Sequence, residues 1–213
     1  MDILNQISRT LEQGDDEKVA QLTAQAIGKK LPPKTILDEG LIAGMNVVGE
    51  KFRNHDIFLP DVLLAAKAMY AGLARLKPLL IEENIPSRGK VVIGSVQGDL
   101  HDIGKNLVGI MLKGAGFEVI DLGSDVPPET FIETAKQENA VVIGLSALLT
   151  TTMPVMKQVV DLLKKENLTG KVKTIIGGAP VSKNFADEIG AGEYGFDAAN
   201  AVECIKAMTG QAG

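Results

Sequence analysis

The sequence has few of the side chains from which metal and redox sites are usually built. Its 213 residues include one cysteine, two histidines and no tryptophan. The lone Cys204 cannot form an internal disulfide, and we expect a buried structural thiol. A zinc site needs three or four histidine, cysteine or acidic ligands, and the second half of the chain offers one histidine and one distant cysteine.

The chain also lacks excess positive charge and long apolar runs. Its net charge of −5 argues against binding nucleic acid through a basic face. No run approaches the roughly 18 apolar residues of a membrane span, and no basic segment precedes an apolar one at the N-terminus. We therefore expect a cytoplasmic protein with no membrane partner, and an apolar content of 45% predicts ordinary globular cores.

Residues 1 to about 82 predict helices alone. Apolar residues recur at steps of three and four, as at Ile3, Ile7 and Leu11, and short breaks separate four such patterns. Four amphipathic helices with short connections predict a bundle. A polar segment over residues 82–89 contains proline and glycine and is typical of a linker, so we predict domains over residues 1–86 and 87–213.

From Lys90 onward, predicted strands and helices alternate. The strands cover residues 91–95, 118–121, 141–146, 172–176 and 193–195. Their nearly continuous apolar character predicts a parallel sheet covered on both faces, in a doubly wound, flavodoxin-like domain of strand order 2-1-3-4-5. The loops after the first, third and fourth strands then meet at one edge of the sheet.

The loop after the first predicted strand contains His101, preceded by Asp99 and followed by Asp102. A carboxylate that holds one imidazole nitrogen leaves the other oriented to bind a metal. The alternative is a solvent-exposed histidine in a local hydrogen-bonded turn. Gly98 and Gly104 bracket the polar pair and favour a sharp turn or a close approach to something flat.

Other ligand chemistries fit this loop poorly. A phosphate-binding loop would have four residues between its two glycines, whereas Gly98 and Gly104 enclose five, and Asn106 replaces the magnesium-binding hydroxyl. The glycine pattern of a dinucleotide fold is absent after the first strand. A phospho-acceptor receiver domain would need an aspartate at the end of the third strand, where this chain has Ser146.

The segment Gly98–Asn106 resembles the Asp-x-His-x-x-Gly cobalamin-binding motif of methionine synthase and of the small corrinoid proteins of methyl-transfer systems. Three further segments match in order: Asp121–Gly123, Leu145–Thr152 and Ile176–Pro180. The N-terminal helices are similar to the cap that precedes the B12 domain in those proteins. The resemblance therefore covers nearly the whole chain.

The resemblance implies that His101 is the lower axial ligand of cobalt and that Asp99 holds its other nitrogen. Thr152 would continue this relay where the family has a serine. The two glycines Gly177 and Gly178 would leave room for the nucleotide tail of the cofactor, although a tight turn is the alternative interpretation. The implied cofactor-binding residues in this domain are Gly98, Asp99, Leu100, His101, Asp102, Ile103, Gly104, Ser146, Leu148, Thr150, Gly177, Gly178 and Ala198.

The connection between the third and fourth predicted helices contains unusual apolar surface for a loop. The resemblance implies that Phe52 and Leu59, seven residues apart, shield the upper face of the corrin. The alternative is that these side chains plug the end of the bundle. His55 lies between them, either as a surface residue or as a substrate-side contact.

The resemblance thus implies a corrinoid carrier that shuttles a methyl group on cobalt. The donor side would be a substrate-specific methyltransferase, and the acceptor side a second methyltransferase acting on tetrahydrofolate or a thiol. A reductive activator would be a third partner. A B12-dependent sensor and the B12 subunit of a radical mutase are the alternatives, and the sequence names neither the methyl donor nor the oligomeric state.

Overall fold

The computed structural model describes residues 2–83 and 85–210. The chain divides into two compact units, Met1–Pro86 with Gly114–Gly116, and Ser87–Lys113 with Phe117–Gly213. None of the helices in the described residues is both long and apolar enough to cross a lipid bilayer.

Four helices form the described part of the first unit, as predicted. They are α1 (Ile3–Glu12), α2 (Asp16–Gly28), α3 (three consecutive stretches, Pro33–Thr35, Ile36–Ile42 and Ala43–Arg53) and α4 (Leu59–Glu82). The predicted apolar stripe of α1, including Ile7 and Leu11, is buried. Asp15 begins α2 by accepting a hydrogen bond from the Lys18 N–H at 2.9 Å, as helix N-caps do.

The middle stretch of α3, Ile36–Ile42, is a π-helix. In a π-helix the backbone hydrogen bonds join residues five apart rather than four, so each turn is wider than in an α-helix. Ile36 and Leu41 are five residues apart and both fully buried. The sequence analysis missed this stretch because it assumed the α-helical period throughout the third helix.

The turn between α3 and α4 differs from the predicted loop. Phe52 belongs to the last turn of α3 and Leu59 is the first residue of α4, and both are half-buried rather than exposed. Phe58 is the exposed aromatic residue, at 70%. His55 ends α3 in the left-handed conformation (φ 62°), with its N–H bonded to the Phe52 carbonyl at 3.1 Å. The His55 side chain is exposed, and its backbone closes the end of the helix.

The second unit alternates strands and helices as predicted. Its elements are β1 (Lys90–Ser95), α5 (Ile103–Gly114), β2 (Glu118–Asp121), α6 (Pro128–Glu138), β3 (Val142–Ser146), α7 (Met153–Lys165), β4 (Lys173–Gly177), α8 (Lys183–Ile189), β5 (Glu193–Gly195) and α9 (Ala198–Met208).

The five strands of the described second unit form one parallel sheet in the order β2-β1-β3-β4-β5, which confirms the predicted flavodoxin-like topology. Strand residues such as Val92, Ile143 and Ile176 are buried between the flanking helices. At the carboxyl edge, Ser95 pairs with Ser146 and Ser146 pairs with Gly177. The loops that follow these residues therefore begin side by side.

Cys204 in α9 is half-buried rather than buried, contrary to the prediction. Burial and the nearby Glu193 and Glu203 carboxylates nevertheless raise the pKa of its thiol. A raised pKa disfavours the reactive thiolate, so the expectation of an unreactive thiol keeps its physical basis.

Candidate functional site

The loop between β1 and α5, residues 96–102, begins at the carboxyl edge of the sheet, between β2 and β3. Its first residue is tied to the next strand by a bond from the Val96 N–H to the Ser146 carbonyl at 3.0 Å. The Ser95 hydroxyl donates to the His101 carbonyl at 2.5 Å. Gly98 has a φ of 84°, which L-residues seldom adopt. We call residues 96–102 the histidine loop.

The Asp99 side chain is fully buried and joins the histidine loop to the loop after β3. One carboxylate oxygen, Oδ1, accepts hydrogen bonds from the His101 N–H at 3.1 Å and from His101 Nδ1 at 2.8 Å. The other, Oδ2, accepts from the Leu148 and Leu149 N–H groups at 2.8 and 3.2 Å and from Thr152 Oγ1 at 2.8 Å. This buried charge is therefore fully partnered, as burial of a carboxylate requires.

These hydrogen bonds keep Asp99 ionised. Burial by itself raises the pKa of the Asp99 carboxyl, but the hydrogen bonds from Thr152, His101 and the Leu148 backbone outweigh it. The resulting pKa lies well below the usual range. At neutral pH, Asp99 is an acceptor with no proton of its own to donate.

The ionised carboxylate fixes the tautomer of His101. Because Asp99 only accepts, Nδ1 of the imidazole donates the proton of their 2.8 Å hydrogen bond. Nε2 then carries the lone pair that can bind a metal. The His101 side chain is 52% exposed, so about half of the oriented imidazole remains accessible.

Large apolar side chains are exposed beside this histidine. Leu100 is 73% and Ile103 76% exposed, on either side of His101 in the sequence. Leu148 and Leu149, at 42% and 41%, extend the apolar surface from the neighbouring loop. Such an apolar surface around one polar ligand is typical of a site that covers a large, mostly apolar group. The sequence analysis did not identify Leu149.

The predicted glycine positions differ in what constrains them. A Cβ at Gly178 would lie 1.8 Å from the Ala147 carbonyl oxygen, and one at Gly177 would lie 3.0 Å from the Gly195 carbonyl oxygen. Close approach of the protein backbone thus requires glycine at Gly178 without any ligand. A Cβ at Gly104 meets no described atom within 4 Å. Protein packing does not require glycine there, so the space beside Gly104 is open to a ligand.

The structure brings most of the predicted cofactor-binding residues to the carboxyl edge of one sheet. Ser146 ends β3, Thr150 is exposed in the following loop, and Ala198 is the buried first residue of α9. Asp102 accepts a hydrogen bond from the Asn106 side chain at 3.0 Å. Phe52 belongs to the helical unit and is described only within it.

Comparison with known families identifies the family of this chain. A B12 binding domain family matches residues 89–203, and a second family of the same description matches residues 3–77. The chain belongs to the B12-binding corrinoid proteins. Its cofactor is cobalamin or a related corrinoid.

Relatives of this corrinoid protein match over most of their length. It is 41% identical to a corrinoid protein of Desulfitobacterium hafniense (strain Y51), covering 99% of each chain. It is 50% identical to dimethylamine corrinoid protein 1 of Methanosarcina acetivorans, covering 84% of each. Among solved structures, the methanol:cobalamin methyltransferase complex MtaBC of Methanosarcina barkeri matches with a TM-score of 0.86 and 32% identity, covering 98% of this chain and 80% of that one.

The described residues of the corrinoid protein fit such a cofactor. They contain no group of three or more histidine, cysteine or acidic side chains that could hold a metal ion. A corrin ring supplies four nitrogens to its cobalt, so one oriented imidazole is a sufficient protein ligand. The exposed Leu100 and Ile103 side chains and the open space beside Gly104 suit a flat apolar macrocycle.

We predict that replacing Asp99 makes the free energy of unfolding of the apo-protein less dependent on pH between pH 7 and pH 3. Because the pKa of Asp99 is lowered in the folded state, its carboxylate stabilises the fold above the unfolded-state pKa of about 4, and this contribution is lost as the pH falls. Asp99→Asn should lower the free energy of unfolding by about 2–3 kcal/mol at pH 7. The difference from wild type should shrink at pH 3.

Urea unfolding of both proteins across this pH range is the measurement. Asp56→Asn is the matched control, because Asp56 is exposed in the turn between α3 and α4, and it should follow the wild-type curve. A loss in Asp99→Asn that stays the same from pH 7 to pH 3 would contradict the prediction.

Proposed function

We propose that this corrinoid protein carries a methyl group on cobalt between two methyltransferases. The first acts on a specific methyl donor, and the second passes the methyl group to tetrahydrofolate or a thiol. The observation that carries the proposal is the fully partnered Asp99 carboxylate, which orients His101 in a chain related to corrinoid proteins of methylamine systems. Bound cobalamin supplies the methyl-transfer chemistry itself.

In this proposal His101 would hold the cobalt of the cofactor through Nε2. Asp99 holds the proton on Nδ1, and Thr152 holds Asp99 through a hydroxyl at 2.8 Å. The single hydroxyl proton of Thr152 also lies within reach of the Leu149 carbonyl, at 2.9 Å. Asp99 thus stays a charged acceptor beside His101 Nδ1, while the Leu149 carbonyl is a second acceptor for the Thr152 hydroxyl proton.

The helical unit is the proposed cap, with Phe52 and Leu59 as the residues that shield the corrin. Both are half-buried at the two ends of one helix–helix turn. The linker predicted over residues 82–89 would let the cap move, and Asn84 of that segment lies outside the described residues. The proposed donor, acceptor and reductive-activator proteins would all need access to the cobalt, which a fixed cap would block.

The relatives guide the choice of methyl donors to test. Their names include trimethylamine and dimethylamine corrinoid proteins, and a solved relative belongs to a methanol:cobalamin methyltransferase complex. We therefore propose these three compounds as the first donors to test, each with its own methyltransferase. A cytoplasmic location, without nucleic-acid or membrane partners, completes the proposal.

The ligand role of His101 can be tested by isotope substitution. The chain contains two histidines, so labelling histidine with ¹⁵N marks His55 and His101 alone. In the Co(II) state of reconstituted protein, we expect the three-line ¹⁴N splitting of the EPR spectrum to become a two-line ¹⁵N splitting. The label distinguishes a histidine ligand from the cofactor's own base.

The second histidine provides the control. His101→Ala should abolish the two-line splitting, and His55→Ala should retain it. A spectrum that histidine labelling leaves unchanged would reject His101 as the ligand and leave the cofactor's own base, or no base, below the cobalt.

The shielding role of Phe52 and Leu59 predicts faster photolysis in their absence. In protein loaded with methylcobalamin, Phe52→Ala combined with Leu59→Ala should accelerate loss of the methyl group in light and air, because a shielded radical pair recombines before oxygen reaches it. Phe58→Ala is the matched control, since Phe58 is an exposed neighbour at 70%. Equal photolysis rates in the double variant and wild type would place the shield elsewhere.

The carrier function predicts a complete spectral cycle. Protein with reduced cobalamin should acquire the visible spectrum of methylcobalamin, one methyl group per protein, only when a donor and its methyltransferase are both present. The methyl group should leave only after the second methyltransferase and its acceptor are added. Omitting each component in turn is the control.

The rival functions predict different outcomes in the same assay. A sensor would take up no methyl group with any encoded partner and would change its DNA binding or oligomeric state with light. A radical mutase subunit would support isomerisation with adenosylcobalamin and a catalytic partner. Either result would replace the carrier proposal.

A further inference from the structure

The segment after β2, residues 122–126, runs beside the histidine loop and is paired with the end of β1. The Ser95 N–H donates to the Gly123 carbonyl at 2.9 Å, and the Val126 N–H donates to the Ser95 carbonyl at 3.0 Å. An isolated parallel bridge joins Val96 to Val126. This segment therefore supports the histidine loop on the side opposite the loop after β3, because β1 lies between β2 and β3 in the sheet.

Asp125 is the residue of this segment that bonds to the histidine loop itself. Its carboxylate Oδ1 accepts from the Gly98 N–H at 2.7 Å. Its own N–H donates to the Asp99 carbonyl at 3.0 Å. Two consecutive residues of the loop, one of them the buried carboxylate that orients His101, are thus held by one side chain and its backbone.

Asp125 makes these two hydrogen bonds from a disfavoured backbone conformation. Its φ is 57°, the left-handed region, which aspartate tolerates better than most residues but still disfavours. Gly98, its partner, also has a positive φ, 84°. Unfavourable backbone conformations persist where the surroundings fix them, and they concentrate at functional sites.

A second carboxylate, immediately before the same segment, holds the other end of the loop. Asp121 accepts hydrogen bonds from Lys105 Nζ at 2.5 and 2.6 Å. The Lys105 side chain is 3% exposed although it lies in the first turn of α5, where the helix dipole disfavours a cation. Lys105 also donates to Asn106, whose amide donates to Asp102 beside His101. Helix stability does not account for this buried cation, whereas anchoring of the loop does.

We propose that Asp125 is a positioning residue that pre-orients the histidine loop for cobalt ligation, with the Lys105–Asp121 pair as a second anchor. Asp125 has no hydrogen bond to the His101 side chain among those described, and it acts through the backbone of Gly98 and Asp99. A loop already held in the ligating geometry loses less conformational freedom when His101 binds cobalt, which strengthens the cobalt–histidine bond. The inference rests on the proposed ligand role of His101.

The test measures how readily cyanide displaces the histidine. Holoprotein reconstituted with cyanocobalamin is titrated with cyanide, which replaces the lower nitrogen ligand and produces the dicyano spectrum. The cyanide concentration at half-displacement rises with the binding constant of the histidine for the cobalt. Gel filtration after titration checks that the cofactor remains on the protein.

The variants separate the carboxylate from the backbone conformation. Asp125→Gly keeps the left-handed conformation but removes the acceptor, and it should lower the cyanide midpoint about threefold, near the low end of the range for a single intramolecular hydrogen bond. Asp125→Asn keeps an acceptor oxygen and tolerates the conformation, so its midpoint should lie closer to wild type. Asn139→Gly is the matched control at another left-handed residue, after α6 (φ 53°), and should leave the midpoint unchanged.

Lys105→Met removes the second anchor while filling the same buried space, and it should also lower the midpoint. This variant decides the question if Asp125→Gly does not fold. An unchanged midpoint in the folded variants would overturn the proposal. An equally large shift of the midpoint in Asn139→Gly would also overturn it. The same holds if each variant's shift is matched by an equivalent loss of thermal stability in the apo-protein.

Failure of this inference can be distinguished from failure of the carrier proposal. A wild-type EPR spectrum with the ¹⁵N-histidine splitting and unchanged cyanide midpoints in the variants would overturn the positioning role alone. Absence of that splitting would overturn the ligand role of His101 and this inference together. Methyl transfer is not needed for either result.

Discussion

The second unit is organised around one buried negative charge. The Asp99 carboxylate is removed from water, and its burial is tolerable because hydrogen-bond donors from two loops surround it. Two of those donors are backbone N–H groups of Leu148 and Leu149, so the carboxylate also stabilises the shape of the loop after β3. Ligand geometry and loop structure therefore depend on the same interaction.

This arrangement also explains why the histidine loop needs support from both sides. On the β3 side it is fixed through the Asp99 side chain, and on the β2 side through Gly98 and the Asp99 carbonyl. The parallel order places β1 between these neighbours. An oriented imidazole at this position thus follows from the strand order as much as from the local motif.

The fold could be predicted from the sequence because the apolar patterns and the residues that end them are local. The bounds of β2 were predicted as observed, since Gly123 lies just beyond the end of its apolar pattern. The resemblance brought Asp99, His101 and Thr152 together because the family motif specifies their spacing. The structure places these three side chains in one hydrogen-bonded series.

The missed features depend on contacts between residues distant in the sequence. Nothing near Lys105 indicates that its ammonium is buried against Asp121, sixteen residues later. The contact between Asp125 and Gly98 spans twenty-seven residues. Nothing in the sequence near Gly178 indicates that the Ala147 carbonyl oxygen lies where a Cβ would be. Such pairings are visible only after the strands have been placed.

The π-helical stretch Ile36–Ile42 has a consequence for the whole of α3. A π-turn is equivalent to one residue inserted into an α-helix. Because the wider turn accommodates the extra residue, deleting one residue there would restore a regular helix and leave the residues that follow at nearly the same angle around the axis. Homologues that are one residue shorter within this stretch would therefore still present the residue corresponding to Phe52 in the same direction.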